Sequence, residues 1–100
     1  MKTEYDIYMN FKKAETQVNK LKDIAQNMRL LANDDIEGTI GRIRSNWSGE
    51  NSEAFLAKVQ VVENKIAETA NDIQRVADTI MSNAERTMRT ELAAIGVARG

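Results

Sequence analysis

Apolar residues in the first half of the chain recur at alternating steps of four and three. Eight positions keep this heptad rhythm without a break: Ile7, Phe11, Ala14, Val18, Leu21, Ala25, Met28 and Ala32. Such spacing aligns apolar side chains along one side of an α-helix, where a second helix can pack against them. The pattern predicts a long first helix with one packing seam.

The second half of the chain repeats this rhythm. Its seam positions are Phe55, Val59, Val62, Ile66, Thr69, Ile73, Val76 and Ile80, followed by Ala84, Met88, Leu92 and Ile95 at steps closer to four. Proline, the residue that most reliably stops a helix, does not occur in the sequence. Two seams of similar length predict two long helices that fold back on each other.

The first seam changes phase at residues 33–35. It resumes at Ile36, Ile40, Ile43 and Trp47, with two successive steps of four that behave as a stutter and predict a gentle bend near residues 33–41. Gly38 and Gly41 lie in the same stretch, and each costs about 1 kcal/mol of helix relative to alanine. They indicate a close approach of a neighbouring backbone, a softened last third of the helix, or glycines that the helix tolerates.

The ends of the predicted helices carry capping patterns. Thr3 followed by Asp6 resembles a capping box, and Glu50 and Glu53 place negative charge where a second helix would begin. Residues 96–100 contain two glycines and no periodicity, so we expect them to fray. The sequence predicts a single all-α domain over residues 1–100, with helices at about 4–45 and 50–95 and a turn at about 46–49.

The apolar stripe is wider than a two-helix seam requires. Apolar residues lie beside the seam at Tyr8, Ile24, Leu31, Leu56, Ala67, Ala70, Ala77 and Met81. Helices of this kind face more than one neighbour, so we expect the antiparallel hairpin to dimerise into a four-helix bundle. The predicted core or interface positions are Phe11, Val18, Leu21, Met28, Phe55, Val59, Val62, Ile66, Ile73, Val76 and Ile80.

Charge and composition argue against several classes of function. The 14 basic and 15 acidic residues are interleaved, so we expect neither nucleic-acid binding nor membrane binding. The sequence has no cysteine and no histidine, which removes disulfides, the common zinc ligands and the commonest general base. We therefore predict that the chain is not an enzyme and that it needs no cofactor or metal.

The predicted turn carries the most specific motif in the sequence. It reads Ser-Asn-Trp-Ser-Gly-Glu-Asn-Ser-Glu-Ala-Phe over residues 45–55, with Trp47 able to fold over the neighbouring helix and Gly49 able to adopt a positive φ. A single Trp-x-Gly midway along a proline-free chain of 100 residues, between two heptad-patterned helices, resembles the Trp-x-Gly (WXG100) family of type VII secretion substrates.

The resemblance implies a fold, partners and a route out of the cell. Family members are antiparallel helical hairpins that pair into four-helix bundles, and Trp47 and Gly49 match the turn that serves secretion. The implied partner is a second copy, a related helical protein or the helical domain of a larger effector, together with the secretion ATPase. The implied localisation is secreted by the type VII route, without a cleavable signal peptide, after folding in the bacterial cytoplasm.

The family usually supplies a second element, an aromatic residue followed four positions later by an acid. Neither Tyr5 nor Tyr8 has an acid at that spacing, which favours a partner that brings this element. A looser carboxy-terminal pattern remains at Met81, Glu85, Met88 and Leu92, and core packing accounts for it as well. The alternative function is a cytoplasmic structural coiled coil unconnected with secretion, which leaves the midpoint Trp-x-Gly as a coincidence.

Overall fold

The structure is a computed structural model that describes residues 2–99. Helix α1 spans Glu4–Leu30, a π-helix follows at Leu31–Ile36, α2 spans Glu37–Asn46 and α3 spans Glu50–Arg99. No strand occurs among residues 2–99, so the prediction of an all-α fold is confirmed. The order of the elements, two helical arms joined at one turn, is that of a helical hairpin.

The predicted capping box begins α1. The backbone N–H of Thr3 donates to Asp6 Oδ2 at 3.2 Å, and the backbone N–H of Asp6 donates to Thr3 Oγ1 at 3.2 Å. These two bonds satisfy donors that the first turn of a helix otherwise leaves without partners. Glu4 and Asp6 also place negative charge at the positive end of the helix dipole.

The π-helix occupies the point where the apolar rhythm changes phase. A π-helical turn holds one residue more than the equivalent α-helical turn, so it resets the direction in which later side chains point. Ala32 and Ile40 are consequently both buried, at 0% and 3% exposed. From the additional step of four in the apolar pattern, the sequence predicted a local unwinding of the supercoil. In the structure the backbone instead forms a wider π-helical turn at Leu31–Ile36, which takes up the additional residue.

Gly38 and Gly41 are tolerated rather than required. A Cβ atom at Gly41 would meet no heavy atom within 4 Å, and one at Gly38 would meet only the Arg42 side chain, at 3.6 Å. Neither glycine has a positive φ. No neighbouring backbone approaches these positions, so the first of the open interpretations, a close approach of a neighbouring backbone, does not hold.

The chain packs as two compact units. The first contains residues 2–22 and 74–99, and the second contains residues 23–73. In the first unit, Lys2 Nζ lies 3.1 Å from Glu91 Oε1, and Ile7 and Val18 are each 2% exposed. In the second unit, Arg29 donates to Asn71 Oδ1 at 3.2 Å. Within each unit, two helical segments pack antiparallel.

Alanine forms much of the buried seam. Ala25, Ala32 and Ala70 in the second unit and Ala77 in the first are all 0% exposed. Because an alanine side chain ends at Cβ, it lets the backbones of two helices approach closely while still excluding water. Among the described residues, alanines are thus four of the nine buried apolar residues, and the other five are Ile7, Val18, Ile40, Leu56 and Ile95.

Three of the seam residues predicted for the second helix, Phe55, Val62 and Val76, are exposed, and the residue after each of them is less exposed. Leu56, Glu63, Ala70 and Ala77 lie at the interior positions that the heptad assigned to Phe55, Val62, Thr69 and Val76. The shared residues Val59, Ile66, Ile73 and Ile80 are half-buried and are compatible with either phase. The interior phase has alanine at two of these four positions, Ala70 and Ala77, and it leaves Phe55, Val62 and Val76 exposed.

Helix α3 also continues past the predicted end. It runs to Arg99 instead of stopping near residue 95, so residues 96–99 are helical where fraying was expected. Glycine ends a helix when it adopts a positive φ, and Gly96 does not. With no proline beyond it, nothing in the sequence stops the helix before the last described residue.

Deletion of Asp34, an exposed residue of the π-helix, tests the role of that segment. The deletion restores the alternation of four and three across Ala32 and Ile36, so we expect an uninterrupted α-helix and a free energy of unfolding within about 1 kcal/mol of the parent. Deletion of Lys20 in α1 is the matched control. It rotates every later seam residue by about 100° and should cost more than about 3 kcal/mol. Thermal denaturation followed by circular dichroism measures both, and equal losses would contradict this role.

Candidate interaction surface

Three residues reverse the chain between α2 and α3. Trp47 is extended, with φ −141° and ψ 131°, and its backbone N–H donates to Ile43 O at 2.8 Å as the last bond of α2. Gly49 has φ 111°, a region that residues with a Cβ atom rarely adopt. The positive φ expected at Gly49 is therefore present, and it directs the chain into α3.

Ser52 secures the start of α3. Its hydroxyl donates to Gly49 O at 2.8 Å, and the backbone N–H of Glu53 donates to the same oxygen at 3.1 Å. Ser52 is 2% exposed, so this bond satisfies a buried hydroxyl that would otherwise lose its hydration without compensation. Sequence reasoning missed Ser52, although a small polar residue three positions after a turn glycine is an indication that could have identified it.

Trp47 packs beside Phe55 on the surface of the second unit. The two ring centroids are 5.9 Å apart and the rings are tilted by 49°, within the usual range for aromatic pairs. The two residues are 47% and 46% exposed, so roughly half of each side chain still faces water. The turn thus presents an aromatic pair that this chain does not cover.

The aromatic pair belongs to a wider apolar side of the second unit. Ile24, Leu31, Phe55 and Val62 each directly precede an interior residue, namely Ala25, Ala32, Leu56 and Glu63. Each residue turns an α-helix by about 100°, so the residue just before a seam position points to one flank of the seam. Two antiparallel helices that face each other turn this flank to the same side of the pair. These four residues are 43% to 54% exposed. We call Ile24, Leu31, Phe55, Val62 and Trp47 the apolar side.

The opposite side of the second unit is polar. Gln26, Arg29, Asn64 and Asn71 directly follow interior or half-buried seam residues, and they place amides and a guanidinium on that side. The bond from Arg29 to Asn71 crosses between the two helices there. Arg29 and Asn71 each follow a seam residue by one position, so a bond between them shows that these positions lie on the same side of the helix pair. The second unit therefore has one apolar side and one polar side.

Glu63 is a charged residue at an interior seam position. It is half-buried, and its Oε2 atom is enclosed without a hydrogen-bond partner. Burial raises the pKa of the Glu63 carboxyl above its usual value, and the Glu37 carboxylate beside it raises it further, through a hydrogen bond to the protonated form and through repulsion of the charged form. Sequence reasoning missed this residue because the heptad phase placed Val62 inside instead.

The predicted carboxy-terminal residues lie in the first unit. Met81, Glu85, Met88 and Leu92 are all half-buried, and Met88 lines a groove of about 240 Å³. The predicted α1 residues Phe11, Val18, Leu21 and Met28 all face the seam, with Val18 buried and the others half-buried. Phe55, Val62 and Val76 lie outside it, so they are available to a partner and not to the core of the hairpin.

No protein-family model, curated protein or solved structure matches this chain. None of the helices among the described residues is long and apolar enough to cross a membrane. Within residues 2–99, no cluster of acidic residues has the arrangement needed to hold a metal ion. The apolar side and the turn beside it form the candidate interaction surface of the second unit.

Gly49→Ala should destabilise the protein through the backbone alone. A Cβ atom at this position would meet nothing within 4 Å, so the cost comes from the positive φ, and we expect a loss of about 1–3 kcal/mol in the free energy of unfolding. Gly41→Ala is the matched control, since it also adds a methyl group into open space but within a helix, and it should stabilise by up to about 1 kcal/mol. Urea titration distinguishes the two, and equal effects would contradict the assignment.

Glu63→Gln should change how stability depends on pH. A carboxyl whose pKa is raised by folding contributes stability below about pH 4.3, the usual pKa of glutamate, and that contribution is lost as the pH rises through the raised value. At pH 7 the variant should therefore melt at a higher temperature than the parent, and the difference should shrink towards pH 4. Glu68→Gln, an exposed residue of α3, is the control and should show no such trend.

Proposed function

We propose that this chain is a non-enzymatic helical adaptor that associates with another helical protein through the apolar side. The observation that carries the proposal is the one-sided exposure of Ile24, Leu31, Phe55 and Val62, together with the half-exposed Trp47 that packs beside Phe55. Exposed apolar surface of this kind costs free energy in water, and a contiguous patch is typical of protein interaction sites. The association proposed is a four-helix bundle made from two hairpins.

The sequence of α3 supports pairing with a further helix. Phe55, Val59, Val62, Ile66, Thr69 and Ile73 keep an unbroken heptad within the second unit, and this heptad is distinct from the interior one. The two heptads of α3, the interior one and this one, share Val59, Ile66 and Ile73. A helix with two such apolar rows can pack against two neighbouring helices at once. The first neighbour is the segment that packs antiparallel to it, and the second is the proposed partner.

We further propose that the association serves a type VII secretion system. The support is the midpoint Trp47-Ser48-Gly49 between heptad-patterned helices, and a turn whose Trp47 remains half exposed for contact with another protein. Neither tyrosine is followed four positions later by an acid, and Phe11, which precedes Glu15 at that spacing, lies in the first helix and not near the end of the second, where the family carries this element. We therefore propose a heterodimer in which a related protein or an effector's helical domain supplies that element. The secretion ATPase would then act on the complex.

Val62→Asp tests the association surface. A carboxylate at this position would be buried without a partner in the bundle, so we expect the dissociation constant of the complex to rise by at least about 100-fold with helix content unchanged. Asn64→Asp is the matched control, because it adds the same charge two residues away on the polar side. Size-exclusion chromatography with light scattering, on the chain alone and mixed with the product of the neighbouring gene, measures both.

The outcome of that experiment decides the first half of the proposal. A chain that stays monomeric at every concentration, alone and in the mixture, would remove the adaptor function. Equal weakening by the two variants would show that charge in general, and not the apolar side, controls association.

Export tests the second half. In the organism that encodes the chain, the protein should appear outside the cells only when the type VII ATPase is active, and Trp47→Ala should reduce its export while helix content stays nearly unchanged. Immunoblots of culture medium and cell lysate measure this, with Tyr8→Ala as an exposed aromatic control outside the turn. Retention of all protein in the lysate would instead favour the cytoplasmic coiled coil, and a gross loss of helix in Trp47→Ala would make Trp47 a structural residue.

A further inference from the structure

The first unit contains a groove that the apolar side does not explain. Its volume is about 240 Å³, and its lining combines the apolar side chains of Ile7, Phe11 and Met88 with the polar side chains of Asn83 and Glu91. A smaller depression of about 170 Å³ is lined in part by the same Ile7 and Glu91. Glu91 therefore lines two openings on the surface of this unit.

The hydrogen bonding of Glu91 is incomplete. Its Oε1 atom accepts a bond from Lys2 Nζ at 3.1 Å, whereas its Oε2 atom is enclosed and has no hydrogen-bond partner. A carboxylate oxygen removed from water without a donor loses hydration that is not replaced, which destabilises the folded chain. A ligand that supplies a donor to this carboxylate would recover that cost.

We infer that this groove binds an arginine side chain of a partner protein. A guanidinium group offers two parallel N–H donors that match both oxygens of one carboxylate, whereas the lysine ammonium that now contacts Glu91 engages one of them. The aliphatic stem of arginine can lie along Ile7, Phe11 and Met88, as the stems of basic side chains commonly do on apolar surface. Lys2 is 57% exposed and can leave without opening the core.

This inference is independent of the association proposed for the apolar side, because it concerns other residues in the other unit. It predicts that a ligand binds the groove well only if it has both a positive charge that can pair with Glu91 and an apolar chain that fits the lining. A neutral alkyl chain satisfies the apolar lining but not Glu91, and a short ammonium ion satisfies only one oxygen. An alkylguanidinium ion satisfies both the lining and the carboxylate.

The test uses n-butylguanidinium as the probe and the full chain labelled with ¹³C in its methionine methyl groups. We expect the Met88 signal to shift saturably during the titration while the signal of Met28, which does not line the groove, stays in place. Under the same conditions n-butylammonium should bind more weakly, and n-butanol should give no saturable shift.

Two substitutions separate the carboxylate from the groove. Glu91→Gln keeps the shape of the side chain and removes the charge, and it should weaken n-butylguanidinium binding by at least about 10-fold. Lys2→Ala removes the competing ammonium and should strengthen binding. Glu68→Gln, which removes an exposed charge from α3 outside the groove, is the matched control and should leave binding unchanged.

Three results would overturn the inference. The first is a Met88 signal that responds to none of the probes. The second is equal binding of n-butanol and n-butylguanidinium, which would reduce the groove to a nonspecific apolar depression. The third is unchanged affinity in Glu91→Gln, provided that its circular dichroism spectrum matches that of the parent.

Discussion

The burial of alanine side chains between two helices is the constraint on which the rest of the structure depends. Ala25, Ala32, Ala70 and Ala77 are completely buried, and in each unit they set how near two helices come to each other. In the rotational phase that buries these alanines, Phe55 and Val62 lie outside the seam and stay exposed. The larger side chains are thereby displaced to the outside, where they form the apolar side.

The order of helices and the turn were predictable because they follow from the spacing of apolar residues and from short capping and turn patterns. The rhythm through Ile7, Val18 and Ala25, the capping pair Thr3 and Asp6, and the glycine at the turn all lie where local rules place them. Each of these features is determined by the residues within one helix or one turn. No knowledge of how one helix packs against another is needed to recognise them.

The rotational phase of α3 was not predictable in the same way. Val59, Ile66, Ile73 and Ile80 fit either of two heptads, and the choice depends on helix separation, which no local pattern encodes. Assigning the largest apolar residues to the interior gave the wrong choice. The same error concealed Glu63, because a carboxylate at an interior position becomes visible only after the phase is known. Ser52 and Glu91 were missed because their roles depend on bonds to Gly49 and Lys2.

The contrast between the two sides of the second unit limits the size of any assembly built on it. A helix pair with apolar residues on both sides could add further layers indefinitely, as sheets of stacked helices or filaments do. Here Arg29, Asn64 and Asn71 occupy the side opposite to Phe55 and Val62. A third layer would have to dehydrate a guanidinium and several amides, so growth stops once a single neighbour has been added.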